Sequence, residues 1–433
     1  MRKPPIGKRE LLGGLVAGSA TVFGSAVILL LLGLIPSQPI RGFFGTWFEH
    51  PVSRWIAYAF LSPLWGLVTT RSVYRESELT LMWHGVGGAS FGALLVFVAV
   101  LGVVGIGVRR RVEGSRQRAS TLVATALTVA VFVAIAAAVF SWAHTFTYTT
   151  QGELSGYSLE VHTRYGPLAY FFGGLALTLL VGVFHFGLVG MLRQPWRAAL
   201  RRACAFVGVC FVVFGLLFPA FVVSDNLRGA KIVDDFGTAS TSSAAFGGLA
   251  IPLALQAPVS LTQNWSSPFR SSGGASTNGD TLPAHWGRLV LSMAFEHPHG
   301  LLVQYAASLG VVGSIVGAAI SVAMVFALVL VSVGLCRNVG ARGMHKGLEI
   351  GILQGGAIAC LLAAVLWLSS YYLGQHYSGD GGMSDYWGVT VFGAVQTVVT
   401  LVVVCGLSGL VYGRRQARRD GDFSGERGIQ APE

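Results

Sequence analysis

Charge is what this sequence has least of. Only 11% of its 433 residues are Asp, Glu, Lys or Arg, against roughly 25% in a soluble domain, while 53% are hydrophobic and the mean hydropathy is +0.63. A water-soluble core is excluded. Cysteine is scarce as well. Cys204, Cys210, Cys336, Cys360 and Cys405 lie in apolar runs or at their basic ends, and no CxxC pair or Cys/His spacing occurs. Neither a disulfide framework outside the cell nor a closed zinc site is expected from them. Acids and bases are nearly missing from the interiors of the apolar runs, so no buried carboxylate chain can relay protons or balance an ion. P-loop, GxSxG, HExxH and dinucleotide-binding GxGxxG motifs are absent too, and no cofactor is expected. The one DxD, Asp420-Gly421-Asp422, falls in a polar tail and reads as solvated charge.

What the chain has instead is long hydrophobic runs. Crossing ~30 Å of hydrocarbon needs about 20 residues, and eight runs qualify: Gly13–Pro36, His84–Val108, Ser120–Trp142, Gly166–Leu192, Ala203–Ser224, Leu301–Leu335, Glu349–Leu373 and Gly388–Gly413. The basic N-terminus Met1–Glu10 leads straight into the first run, which reads as an uncleaved helix. Five short segments, Met1–Glu10, Arg109–Arg118, Arg193–Arg202, Cys336–Lys346 and Arg414–Glu433, hold 21 of the 30 Lys and Arg residues. By the positive-inside rule these face the cytoplasm, with both termini. The net charge of +11 is therefore spent on topology and on anionic lipid at the cytoplasmic face, not on nucleic acid. Eight of the ten histidines then lie at or beyond the outer boundary. The expected location is the plasma membrane, multi-pass.

The fold expected is an all-α membrane bundle of eight helices in two parallel sets of four. Residues 1–202 form the first set, with an outer loop over 37–83. Residues 203–413 form the second, with a large outer loop over 225–300 rich in Ser, Thr, Asn and Gly. Residues 414–433 form a basic tail, read as disordered. In both sets the order is helix, long outer loop, helix, basic loop, helix, short outer loop, helix, as in transporters built from parallel repeats. Each long loop carries a short apolar stretch broken by proline, Trp55–Thr70 with Pro63 and Ala244–Leu261 with Pro252 and Pro258. A span at either place would put the later basic loops outside, so both read as interfacial or re-entrant. An aromatic or His followed by Gly also recurs at the outward helix starts: His84-Gly85, Tyr165-Gly166, His299-Gly300 and Trp387-Gly388.

Small residues at spacing four mark expected packing seams: Gly88 and Gly92; Gly313, Gly317 and Ser321; Gly351, Gly355, Ala359 and Ala363. In lipid, helices gain little from burying apolar surface, and small residues let two backbones approach closely.

Candidate chemistry is confined to a few residues. His185 is the one histidine well inside a span, read as a neutral imidazole bonded to a backbone carbonyl. Gln354 and Gln396 are expected to hydrogen-bond to neighbouring helices. The densest polar cluster is Glu296-His297-Pro298-His299 with His285 and Arg288 upstream. Either His285, His297 and His299 contribute imidazoles to a transition metal, with further ligands from His50, His162 or His376, or they line an interfacial loop among lipid head groups.

Two resemblances bear on this. The segment EHPHGLLVQYAASLGVVGSIVG resembles the loop-to-helix junction of O-antigen ligases and polymerases, with Gly300 where that family usually has Asn. The resemblance implies His297 or His299 as a base on an undecaprenyl-linked sugar, with Arg288 placing its phosphate. The whole layout is similar to that of the streptophobe family of very hydrophobic actinobacterial membrane proteins. Its shared features are glycine-led helices, an apolar Gly/Pro segment before the sixth helix (FGGLAIPLALQAPVSL) and a basic tail. That likeness implies topology and no activity. Three functional classes follow: a non-enzymatic structural or accessory membrane component with membrane-protein partners, a permease with two parallel halves, and an outer-face enzyme on a lipid-linked substrate.

Overall fold

The computed structural model describes residues 8–35, 44, 56, 59–64, 66–74, 80–87, 90–112, 118–143, 146–151, 158–227, 244, 247–255, 257, 259–266, 301–369, 371–377, 382–389 and 391–426. Eight helices in it are long and apolar enough to cross a membrane. They are α1 (Lys8–Gly33), α2 (Phe91–Val112), α3 (Arg118–Ala143), α4 (Pro167–His185), α5 (Trp196–Leu227), α6 (Leu301–Val339), α7 (Met344–Ser369) and α8 (Val391–Glu426). The protein is an integral, multi-pass membrane protein. Its helices expose Leu, Val, Ile and Phe outward, among them Val103, Leu168, Val209, Val322 and Leu330, the reverse of a soluble protein and the arrangement that lipid solvates.

Helix ends follow local chemistry. α4 starts with Pro167 in its first turn, where a missing N–H costs nothing. It stops at His185 because Gly187 takes φ +75, and a 3-10 turn over Leu188–Met191 follows. The apolar run to Leu192 is thus longer than its helix. At the other end of the chain α8 continues through the basic tail as far as Glu426, where an unstructured tail was expected. Tyr412 and Gln416, one turn apart, are hydrogen-bonded there through Nε2 and Oη at 3.1 Å.

On the side away from the arginine-rich helix ends, the chain forms a feature that hydrophobicity gave no hint of. Among the described residues, seven antiparallel strands make one sheet: β1 (Gly66–Tyr74), β2 (Thr80–Gly87), β3 (Phe146–Gln151), β4 (Ser158–Gly166), β5 (Val259–Ser266), β6 (Tyr371–Tyr377) and β7 (Gly382–Val389). Their order is β3-β4-β1-β2-β6-β7-β5. The helix starts expected at His84, Gly166 and Gly388 therefore lie in strands β2, β4 and β7, with α2, α4 and α8 beginning at Phe91, Pro167 and Val391. The membrane part remains all-α, and the strands lie beyond it. β1 pairs with β4 and β5 pairs with β7, while β2 and β6 join the strands of the first four helices to those of the last four, Leu81 opposite Tyr377 and Val86 opposite Tyr372.

Both proline-broken stretches enter the bundle. Residues 59–61 are helical, and Leu61 and Leu64 belong to a core with Val22 of α1, Phe97 of α2, Val133 of α3 and Leu177 of α4. Phe60 stacks on Phe140 at 3.8 Å between ring centroids. In the second set, residues 247–254 are helical and 247–255 are buried without a break. Ile251, Ala254 and Leu255 pack with Val207 of α5, Leu328 of α6, Ile358 of α7 and Leu401 of α8. A short helical segment of this kind is tolerated at membrane depth because protein, not lipid, surrounds it. The last residues of each stretch, 66–70 and 259–261, already belong to β1 and β5.

The tightest helix contact is between α7 and α8. A Cβ added at Gly355 would lie 2.7 Å from the Leu401 carbonyl oxygen and 2.8 Å from the Val402 Cα. At Gly351 it would meet the Cys405 carbonyl oxygen, and at Gly347 that of Gly409. Ser332 of α6 ties into the same pair, its Oγ donating to the Cys405 carbonyl at 2.8 Å.

Candidate functional site

The structure brings together a site that no motif announced. Between α2 and α4 on one side and α5 and α7 on the other lies a cavity of about 260 Å³. Its walls include Leu94 of α2, Leu177 of α4, Val207 of α5 and Leu361 of α7, with Pro63 and Ala244 from the two short buried segments. Every one of these is apolar. His185 and Cys204 are the polar side chains on its wall, both toward the arginine-rich side. Phe91 of α2 and Phe211 of α5 meet at 5.4 Å between ring centroids and close the contact on the sheet side.

Three features explain why a cavity forms here. Gly208 lies on the wall of α5 facing it, and a Cβ there would meet nothing within 4 Å. The short segment 247–255 presses on α5 instead, with the Cβ position of Gly247 2.6 Å from the Phe211 carbonyl oxygen. The imidazole of His185 lies against the α2 backbone, its Cε1 3.0 Å from the Cβ position of Gly102. Large side chains on the other walls prevent the helices from collapsing inward. Water has little to gain by entering, since it needs two to four polar partners.

Gln354 lies on the same face of α7 as Leu361 and Val365, seven residues or about two turns further toward the arginine-rich end. It is fully buried, and neither end of its amide has a hydrogen-bond partner among the described residues. Among the described residues, the partner expected from a neighbouring helix is not present.

The residues singled out from sequence fare differently. His285, Arg288, His297, His299, His50 and Gly88 lie outside the described residues. So do the surroundings of Gly313 and Gly317, although both belong to α6. Gly92 is buried in α2, and Gly351 and Gly355 face α8. His162 on β4 and His376 on β6 fall in one register row across the sheet, through Arg71 and Met82. Three strand spacings of ~4.8 Å separate them, so one metal ion cannot take both. Among the described residues no group of three or more His, Cys, Asp or Glu could hold a metal ion. The cavity was missed because its walls are ordinary span residues. The only sequence signal was the pair of proline-broken apolar stretches too short to span.

Comparison with protein-family models, curated proteins and solved structures gives no match to this chain.

Proposed function

We propose that this protein is a non-enzymatic accessory component of the plasma membrane, built of two parallel four-span halves, whose working surface is the sheet. The observation that carries this reading is the β2–β6 pairing, which fuses strands from both parts of the chain into one seven-stranded surface. A sheet continuous across eight spans gives a rigid platform, and its terminal strands β3 and β5 offer backbone donors and acceptors to an added strand from a partner. The recurrent order of spans, short buried segment and strands supports duplication, and the arginine-rich helix ends support a cytoplasmic placement of the termini. Photocrosslinking residues at Thr149 on β3 and Gln263 on β5, introduced in native membranes, test it. A discrete adduct with one membrane protein is expected, and adducts with lipid alone would refute it.

The cavity favours a second reading, a permease for an apolar solute. Flux of a hydrophobic dye-labelled solute into proteoliposomes, dependent on the protein and abolished by filling the cavity, would displace the accessory reading.

A further inference from the structure

We propose that the cavity and the arginines beside it form a binding site for one anionic phospholipid from the leaflet on the arginine-rich side. One acyl chain fills the cavity and the phosphate rests on Arg109 and Arg201. The inference is independent of the accessory reading above.

The cavity ends where His185 packs on Gly102 and Gly105 of α2. One turn further along α2, Arg109 covers the turn that follows α4, its Cδ 3.4 Å from the Cβ position of Gly187. From α5, Arg201 comes within 3.8 Å of the Cβ position of Gly190 through Nη2, and Arg197 donates through Nη1 to the Gly190 carbonyl at 3.2 Å. Three guanidinium groups from two helices thus converge on the turn Gly187–Met191, about one helical turn (5.4 Å) beyond the cavity's end. The left-handed Gly187 makes that sharp turn, and so the convergence, available. Arg109 and Arg201 are both exposed, where a head group reaches them from the bilayer interface.

The geometry selects the ligand. From Leu177 to His185 the α4 wall of the cavity rises eight residues, roughly 12 Å, which admits a hydrocarbon chain lengthwise. Its volume of about 260 Å³ gives room for a stretch of acyl chain. Its apolar wall rejects a polar solute, while guanidinium forks match phosphate oxygens in a bidentate manner. Basic pockets between spans take anionic head groups, and a zwitterionic lipid would bring its own cation up to the same arginines.

The test uses the full chain purified in detergent, with phosphatidylglycerol and phosphatidylcholine as probes, read by native mass spectrometry. About one phosphatidylglycerol per chain is expected to survive delipidation, at least tenfold in preference to phosphatidylcholine. Arg109→Gln/Arg201→Gln should abolish that preference. Gly208→Phe, which places a ring in the cavity, should abolish retention of both lipids. Equal retention of the two lipids by the wild type, or undiminished phosphatidylglycerol on either variant, would overturn the proposal. Should Gly208→Phe fail to elute as a single species, a chain whose only cysteine is Cys204 replaces it. Phosphatidylglycerol, and not phosphatidylcholine, should slow N-ethylmaleimide labelling of that cavity thiol at least fivefold, and unchanged labelling refutes the site.

Discussion

Replacing Gly351 by Ala should destabilise the protein far more than the same change five residues away at Gly356, on the same helix. At Gly351 the new Cβ would run into the Cys405 carbonyl of α8, and would lie 2.9 Å from its carbon and from the Gly406 Cα. At Gly356 nothing lies within 4 Å. The obstacle at Gly351 is backbone, so no side-chain rotation relieves it, and α8 has to move away. Carbon contacts are optimal at ~3.5–4.0 Å, which requires a displacement of about 1 Å. A gap of that size forfeits a quarter to a half of the dispersion attraction at each contact it opens. The Gly347–Gly409 and Gly355–Leu401 approaches lie along the same seam and open together. Overpacking costs of 1–3 kcal/mol are typical, and a shared seam places Gly351→Ala near 3 kcal/mol. Gly356→Ala should stay within about 0.5 kcal/mol of wild type, as an open position does. Titration of the purified protein with SDS in mixed micelles, followed by circular dichroism, gives both values. Equal losses at the two positions, or a larger loss at Gly356, would refute the view that α7 and α8 are held by backbone approach.

Three further outcomes test other parts of the structure. Gln354→Leu removes a fully buried amide that has no partner among the described residues. Replacing an unsatisfied group by an apolar one should leave stability unchanged or raise it, and a loss above ~1 kcal/mol in the same titration would show that the amide is bonded. Ser332→Ala deletes the hydroxyl that donates to the Cys405 carbonyl. It should cost about 0.6 kcal/mol and no more than ~1.7, the range of such bonds between spans, while a neutral result would show that α6 and α8 are joined by packing alone. For topology, cysteine at Thr149 on β3 should react with a membrane-impermeant maleimide in intact cells, and cysteine at the exposed His345 in the first turn of α7 should react only after lysis. The opposite pattern at either position would invert the orientation inferred from the arginines.

The sequence by itself determined the class of the fold and the number of spans. Uncharged runs of 20 or more residues have one stable solvent, and backbone in lipid has one way to satisfy its hydrogen bonds locally, which is helix. Gly351 and Gly355 were also legible, because close approach of two backbones demands the smallest side chain at regular spacing. Gln354 stood out as a polar side chain in an apolar run, but that no partner meets it among the described residues could not be read, since that depends on what the neighbouring helices place opposite. The sheet was illegible for a related reason. β2 is the tail of a hydrophobic loop and the head of a hydrophobic run, and its pairing with β6 lies almost 300 residues away in the chain. Strand pairing is non-local, and periodicity within a single run carries no trace of it. The cavity was decided by tertiary structure alone. Leu94, Leu177, Val207 and Leu361 are interchangeable with dozens of other span residues in the sequence. What distinguishes them is that two short buried segments hold four helices too far apart to close.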